Sequence, residues 1–87
     1  MLAQVWARGT VSVGSVSYIC LDFLDARGKS ISHTIASLPV GKTQDWLRLV
    51  ALDEAPEGAC FSLISLYVGL QAPGDESFFD DLTVTVF

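Results

Sequence analysis

The feature that most constrains this chain is an alternation of apolar and other side chains with a period of two, which runs through most of its 87 residues. In the segment 16–24, Ile19, Leu21 and Phe23 fall on one side of an extended strand. No window of eleven residues repeats with the period of an amphipathic helix. Six segments separated by turn residues show the alternation: 2–8, 16–24, 31–38, 45–54, 60–70 and 78–87. The sequence therefore predicts an all-β fold, an antiparallel β-sandwich of about six strands, as a single domain over 1–87.

Two turn-rich segments predict hairpin loops. Residues 25–29 (DARGK) and 71–77 (QAPGDES) each contain a glycine, and the second also contains a proline. Glycine accepts the positive φ of tight connections, and proline presets φ for a turn. The strand at 60–70 is apolar on both sides, with Ile64, Leu66 and Val68 opposed by Phe61, Leu63 and Tyr67. That pattern favours a strand that is covered on both faces.

The composition predicts that the folded chain leaves an apolar face uncovered. Apolar residues make up 51% of the chain, and charged residues only 17%. Such a balance excludes intrinsic disorder, which needs low hydrophobicity and high charge. A chain this short buries about 60–65% of its unfolded surface. We therefore expect a homo-oligomer, joined through an apolar sheet face or through strand edges.

The charge balance argues against two classes of partner. Ten acidic residues against five Lys and Arg give a net charge of −5, and the cations are scattered. Binding to nucleic acid needs clustered cations that displace phosphate counterions. We expect neither nucleic acid nor an anionic membrane as a partner. The first residues show no basic segment followed by an apolar one, so no signal peptide is predicted. This favours a cytoplasmic protein, or an exported one if the chain is a fragment.

Six short motifs follow one another along the chain: LAQVWARG at 2–9, DFLDARGK at 22–29, DWLR at 45–48, APEGA at 55–59, SLY at 65–67 and FFDDL at 78–82. Their order and spacing resemble the C-terminal portion of carbohydrate-binding modules of the family 4, 9 and 22 type. Those modules are longer jelly-roll sandwiches of the galactose-binding-like kind. The resemblance implies a truncated jelly roll without the opening strands. Missing strands leave unpaired edges and an uncovered core, which again favours a homo-oligomer.

The resemblance also implies a sugar-binding sheet face. Such surfaces set aromatic rings against the apolar face of a pyranose, flanked by side chains that hydrogen-bond its hydroxyls. The candidate ligand-binding residues lie on three strands: Gln4, Trp6, Arg8, Tyr18, Asp22 and Tyr67. They form one groove if their strand faces coincide. The alternative is that the aromatic residues pack in a buried or intersubunit face.

Other candidate residues follow from the same resemblance. Trp46 is expected to pack, with exposure as a stacking platform as the alternative. Asp80 and Asp81 resemble a closing pair that helps to hold a structural calcium, which takes six to eight oxygen ligands. Further ligands would come from the segment that this chain lacks, so the alternative is a pair that caps a turn or faces solvent. We expect no other cofactor.

Nothing in the sequence indicates catalysis. The cysteines, Cys20 and Cys60, are too few for a disulfide framework. The parity of their strands gives them no clear common face, and nothing in the sequence places either within hydrogen-bond reach of the single histidine, His33, as a nucleophilic dyad would require. The acidic residues cluster at turns. We therefore expect a non-catalytic protein that binds an oligo- or polysaccharide on a sheet face. The alternative is a self-associating structural or interaction protein without a small ligand.

Overall fold

Six strands form along the alternating segments, and every pairing between them is antiparallel. The computed structural model describes residues 1–87, and its strands are β1 (Leu2–Val11), β2 (Val16–Leu24), β3 (Ser30–Ser37), β4 (Gly41–Leu52), β5 (Phe61–Gly69) and β6 (Glu76–Thr85). No helix with the length and apolarity needed to cross a bilayer is present. The predicted all-β fold is confirmed.

Three strands extend beyond one end of their predicted segments, although β4 and β6 also stop two residues short of those segments at the other end. β1 continues to Val11, β4 begins at Gly41 and β6 begins at Glu76. In each case the extra residues pair across a sheet. The end of β1 lies between the start of β4, on one side, and the start of β6, on the other. Hydrogen bonds to a neighbouring strand hold these residues extended where the alternation itself is irregular.

The strands form two three-stranded sheets. Sheet A has the order β4-β1-β6, and sheet B has the order β3-β2-β5. Each central strand turns its alternate side chains towards the other sheet, as the period of two requires. The buried apolar core consists of Ala3, Val5, Ala7, Val11, Ile19, Leu21, Phe23, Leu38, Leu49 and Ala51.

Only one of the two predicted hairpins forms. β2 and β3 pair directly, and the loop between them closes with a hydrogen bond from the Asp25 N–H to the Lys29 carbonyl (2.8 Å). The prediction for 71–77 is wrong, because β5 pairs with β2 whereas β6 pairs with β1. This loop therefore crosses from sheet B to sheet A. Its turn residues are the same in either case, so only the sheet pairing distinguishes a hairpin from a crossover.

The sandwich is closed along one side and open along the other. On the closed side β3 lies against β4, and the hydroxyls of Ser32 and Thr34 donate to the Asp53 carboxylate at 3.3 and 3.2 Å. On the open side β5 and β6 diverge. The expectation that β5 is covered on both faces is wrong. β5 is an edge strand, and most of its large apolar side chains are exposed on both faces.

A carboxylate ties together two loops at one end of the sandwich. The Ser12 hydroxyl donates to Asp75 (2.6 Å), and Ser15 Oγ lies 2.7 Å from the other carboxylate oxygen, which also accepts the Ala72 N–H (3.0 Å). These bonds stabilise the ionised form, Ser12 most strongly, and lower the pKa of Asp75 from 3.8 to about 2. The β1–β2 loop is thereby fastened to the β5–β6 crossover.

Replacing Asp75→Asn should lower the melting temperature at neutral pH, because an amide cannot accept all three bonds as a carboxylate does. A lowered folded-state pKa stabilises the fold above the unfolded pKa. The difference between wild type and variant should therefore be complete above about pH 4 and disappear as the pH falls towards 2. Thermal unfolding across this range measures it. Glu57→Gln, at an exposed turn position, is the control. A difference that persists unchanged at pH 2 would contradict the assignment.

Gly9 lies at a close approach of β1 to β6. Its φ is +155°, and a Cβ built there would stand 2.1 Å from the Glu76 carbonyl oxygen. Gly9→Ala should destabilise the protein by at least about 2 kcal/mol in urea unfolding, because backbone must move. Gly28→Ala is the matched control, since Gly28 also has positive φ but open space around it. It should cost only about 1 kcal/mol. If Gly9→Ala and Gly28→Ala lowered the free energy of unfolding equally, the close approach at Gly9 would be contradicted.

Candidate functional site

The outer face of sheet A carries an aromatic and polar surface built on β1. The inward positions of β1 are filled by small core residues, so Gln4, Trp6 and Arg8 all point outward. The prediction that these three share one strand face is confirmed by the register. Their neighbours across the sheet complete three rows: Val50–Gln4–Thr83, Arg48–Trp6–Asp80 and Trp46–Arg8–Phe78.

An irregularity in β6 brings two of these neighbours to the outer face. Gln4 pairs with Thr83 but Trp6 pairs with Asp80, so two residues of β6 stand opposite Val5. One of them, Asp81, has a φ of 53°. Such a β-bulge reverses which side chains face outward along the rest of the strand. Phe78 therefore lies beside Arg8, and Asp80 lies beside Trp6, on the outer face. Strict alternation from Thr83 would instead place the Phe78 and Asp80 side chains on the inner face.

A second irregularity lies on the other side of β1. Ala7 pairs with Leu47 and Gly9 pairs with Thr43, so three residues of β4 stand opposite Arg8 alone. Trp46 belongs to this bulged segment. The Arg8 guanidinium lies 4.9 Å from the centre of the Trp46 ring and 5.3 Å from the centre of the Phe78 ring. A cation between two rings at these distances makes a cation–π contact with each.

The two tryptophans border a shallow cavity together with two carboxylates. Trp6, Trp46, Asp80 and Asp81 line a depression of about 320 Å³. Trp6 is 40% exposed and Trp46 is 43% exposed, so both rings present large areas to solvent. The expectation that Trp46 packs is not met, because its bulge places it on the outer face beside Arg8. Next to Trp6, Gln4 accepts a hydrogen bond from Arg48 Nε at 2.7 Å.

A more polar depression adjoins this cavity. It has a volume of about 260 Å³, and its walls include Arg8, Lys42, Gln44 and Glu76. Arg8 and Phe78 separate it from the tryptophans, since Arg8 contacts the Trp46 ring on one side. The outer face of sheet A thus offers two neighbouring recesses along one line, the first aromatic and acidic and the second polar and of mixed charge.

The other predicted ligand-binding residues lie elsewhere. Tyr18 and Asp22 point outward from β2, and Tyr67 points outward from β5, so all three belong to the outer face of sheet B. The Tyr18 and Tyr67 rings stack with their centres 5.1 Å apart. Because β1 and β2 are in opposite sheets, the two sets of predicted residues do not form one groove.

The acidic pair on β6 does not stand among further metal ligands. An oxygen of Asp80 accepts the Asp81 N–H at 2.9 Å, within the bulge. No group of three or more His, Cys, Asp or Glu side chains is placed to hold a metal ion. A calcium ion at Asp80 and Asp81 would need most of its six to eight oxygens from carbonyl groups or water. The structural calcium stays a prediction.

The two cysteines are not joined in a disulfide. Cys20 lies on the outer face of sheet B near Asp22. Its partial burial, with a smaller contribution from the Asp22 charge, raises the pKa of its thiol. A raised pKa opposes formation of the thiolate, which is the nucleophilic form.

Comparison of the chain with known protein families, with curated proteins and with solved structures finds no match. The likeness to carbohydrate-binding modules therefore depends on the sequence motifs, and membership of that family stays a prediction.

The bulge in β6 can be tested at Asp81. Replacing Asp81→Val should destabilise the protein by about 1–2 kcal/mol relative to Asp81→Gly, because a β-branched residue tolerates positive φ poorly and glycine adopts it freely. Chemical unfolding in urea measures the difference. Thr83→Val, two residues along the same strand and in extended backbone, controls for the new side chain and should cost little. Equal stabilities for the Val and Gly variants at 81 would contradict the bulge.

Proposed function

We propose that the outer face of sheet A binds a carbohydrate, without catalysis, in the cavity between Trp6 and Trp46. The observation that carries the proposal is the cavity itself, where two partly exposed indole rings border a space of about 320 Å³ together with Asp80 and Asp81. An aromatic ring covers the apolar face of a pyranose, and carboxylates accept hydrogen bonds from its hydroxyls. Both kinds of contact are available in this one recess.

The charges favour a neutral sugar over an acidic one at this position. Asp80 and Asp81 are the only charged side chains that line the cavity, and the whole chain carries a net charge of −5. An anionic group placed between the tryptophans would face both carboxylates of the lining. Neutral hydroxyl groups instead donate to them. Because Arg8 and Arg48 lie beside the same rings, an acidic polysaccharide is included in the test below.

The neighbouring recess extends the proposed site to more than one sugar unit. The polar side chains that line this recess offer both hydrogen-bond donors and acceptors, and they include Lys42, Gln44 and Glu76. A pyranose on Trp46 would lie next to this recess, because Arg8 contacts the Trp46 ring and also lines the recess. We therefore propose an oligo- or polysaccharide chain that runs across β4, β1 and β6.

Substitution of either tryptophan tests the proposal. Trp6→Ala and Trp46→Ala should each weaken binding about tenfold to a hundredfold, the loss expected when one buried aromatic contact is removed. Affinity electrophoresis through gels that contain xylan, mannan or mixed-linkage glucan, with pull-down on cellulose, measures retention. Polygalacturonate serves as the acidic polysaccharide and should not retain the protein.

The control is Tyr18→Ala, an aromatic substitution on the outer face of sheet B. It should leave retention unchanged, whereas loss of retention in this variant and not in the tryptophan variants would place the site on sheet B. Circular dichroism confirms that each variant is folded. If the wild-type chain is retained by none of the neutral polysaccharides, the proposal fails.

A further inference from the structure

The free edge of β5 is the least protected surface of the molecule. β5 pairs only with β2, so one side of its backbone has no neighbouring strand. Its nine residues include no charged residue and no proline. Five of its large side chains are exposed, on both faces of the strand: Phe61, Leu63, Leu66, Tyr67 and Val68. A long apolar edge of this kind is a template for pairing with another strand.

The other three edges carry features that oppose such pairing. β6 has the bulge and two adjacent carboxylates at Asp80 and Asp81, in the middle of the strand. β4 carries Lys42, Asp45 and Arg48 along its length. Polar residues alternate with apolar ones along much of β3. The hydroxyls of Ser32 and Thr34 on this strand already donate hydrogen bonds to Asp53 on the closed side. Bulges and charges are the usual protection of sheet edges, and β5 has neither.

We propose that β5 pairs antiparallel with β5 of a second copy of this chain, so that two copies of sheet B form one six-stranded sheet. The strand is self-complementary about Ser65. In that register Leu63 meets Tyr67 of the second copy on the outer face, and Ile64 meets Leu66 of the second copy on the inner face. Residues directly opposite in an antiparallel pair share a face, so apolar side chains meet on both faces without a charge between them.

A single two-fold axis perpendicular to the sheets produces this pairing. The same rotation brings the open sides of the two sandwiches together, because β6 lies across from β5 along that side. The inner side chains of β6, Leu82 and Val84, are exposed there in the single chain. They would then face the inner residues of β5 in a common apolar layer. The interface is isologous and closed, as in most soluble dimers.

The exposed surface of the single chain supports a second copy as the occupant. The chain exposes 5493 Å². A monomeric protein of 9.4 kDa is expected to expose about 5,000 Å². The excess is more than half of the roughly 800 Å² that each partner buries in an interface of standard size. Pairing through β5 would cover exposed apolar side chains of β5 and β6 on the open side of the sandwich.

Substitution of Leu63 tests the proposal while keeping the fold. Leu63→Lys places a cation at the edge, opposite an apolar ring of the second copy, but beside Asp22 of its own chain, which lies directly across from it on β2. The single sandwich should therefore tolerate the change. Ile35→Lys is a matched control, because Ile35 is 49% exposed and Leu63 is 50% exposed, and both point outward from an edge strand of sheet B.

Sedimentation velocity at micromolar concentration should show a dimer for the wild type and for Ile35→Lys, and a monomer for Leu63→Lys. The dissociation constant of the Leu63→Lys dimer should be at least about tenfold higher than that of the wild type. Hydrogen exchange provides a second measurement on the unmodified chain, since protection of the β5 amides should increase with protein concentration.

The proposal would be overturned by a wild-type monomer or by a Leu63→Lys dimer that dissociates no more readily than the wild type. Equal dissociation of both lysine variants, or β5 exchange that is independent of concentration, would also overturn it. Assembly into open-ended chains would overturn the two-fold arrangement. These tests are separate from those of sugar binding, because oligomeric state and β5 exchange are measured without sugar and neither Leu63 nor Ile35 lines the tryptophan cavity.

Discussion

The packing of β1 against β2 is the interaction on which the rest of the structure depends. Only twelve of 87 residues are buried, and most of the large ones are Ile19, Leu21 and Phe23 on β2, with Val5 facing them from β1. The inward residues that flank Val5 on β1 are the small Ala3 and Ala7, and Val11 is buried at the end of the strand. Large side chains on one sheet against small ones on the other let the two layers approach closely. Leu49 and Ala51 of β4 extend the same buried layer, so the orientation of the two sheets depends on the packing of β1 and β4 against β2.

The proposed sugar-binding surface follows from that packing together with two local irregularities. Once alanine and valine of β1 face the core, the period of two leaves Gln4, Trp6 and Arg8 on the outside. The bulges in β4 and β6 then bring Trp46 and Phe78 to either side of Arg8. The side chains that line the cavity thus come from three strands, and their alignment depends on residues that break the regular pattern.

Much of the fold was predictable from the sequence, because alternation reports directly on which side of a strand is buried. The six strands, the β2–β3 hairpin and the shared outward face of the β1 residues all came from this signal. Sheet pairing was not predictable in the same way. The loop at 71–77 has the same turn residues whether its strands pair or cross between sheets. β5 is apolar on both sides although it is an exposed edge strand, so its residues indicate a coverage that the single chain does not provide.

The site was predictable only in part, for a related reason. The positions of Trp46, Phe78 and Asp80 depend on bulges, and a bulge shifts the side-chain parity without a distinctive residue at the shift. The sequence shows only that position 81 is an aspartate, a residue that tolerates the positive φ it adopts in the bulge. Strand parity does not say which sheet a strand joins, so the sequence alone cannot separate Tyr18 and Tyr67 from Trp6.

The position of Arg8 between two aromatic rings has a consequence for recognition. An exposed tryptophan ordinarily loses rotamer freedom when a ligand settles on it, and that loss subtracts from the affinity. Here the guanidinium already restricts the Trp46 ring before any ligand arrives. Trp46 is in this respect preorganised, whereas Trp6 has no such cation–π contact, so a partner that binds there should cause a smaller loss of side-chain entropy at Trp46 than at Trp6.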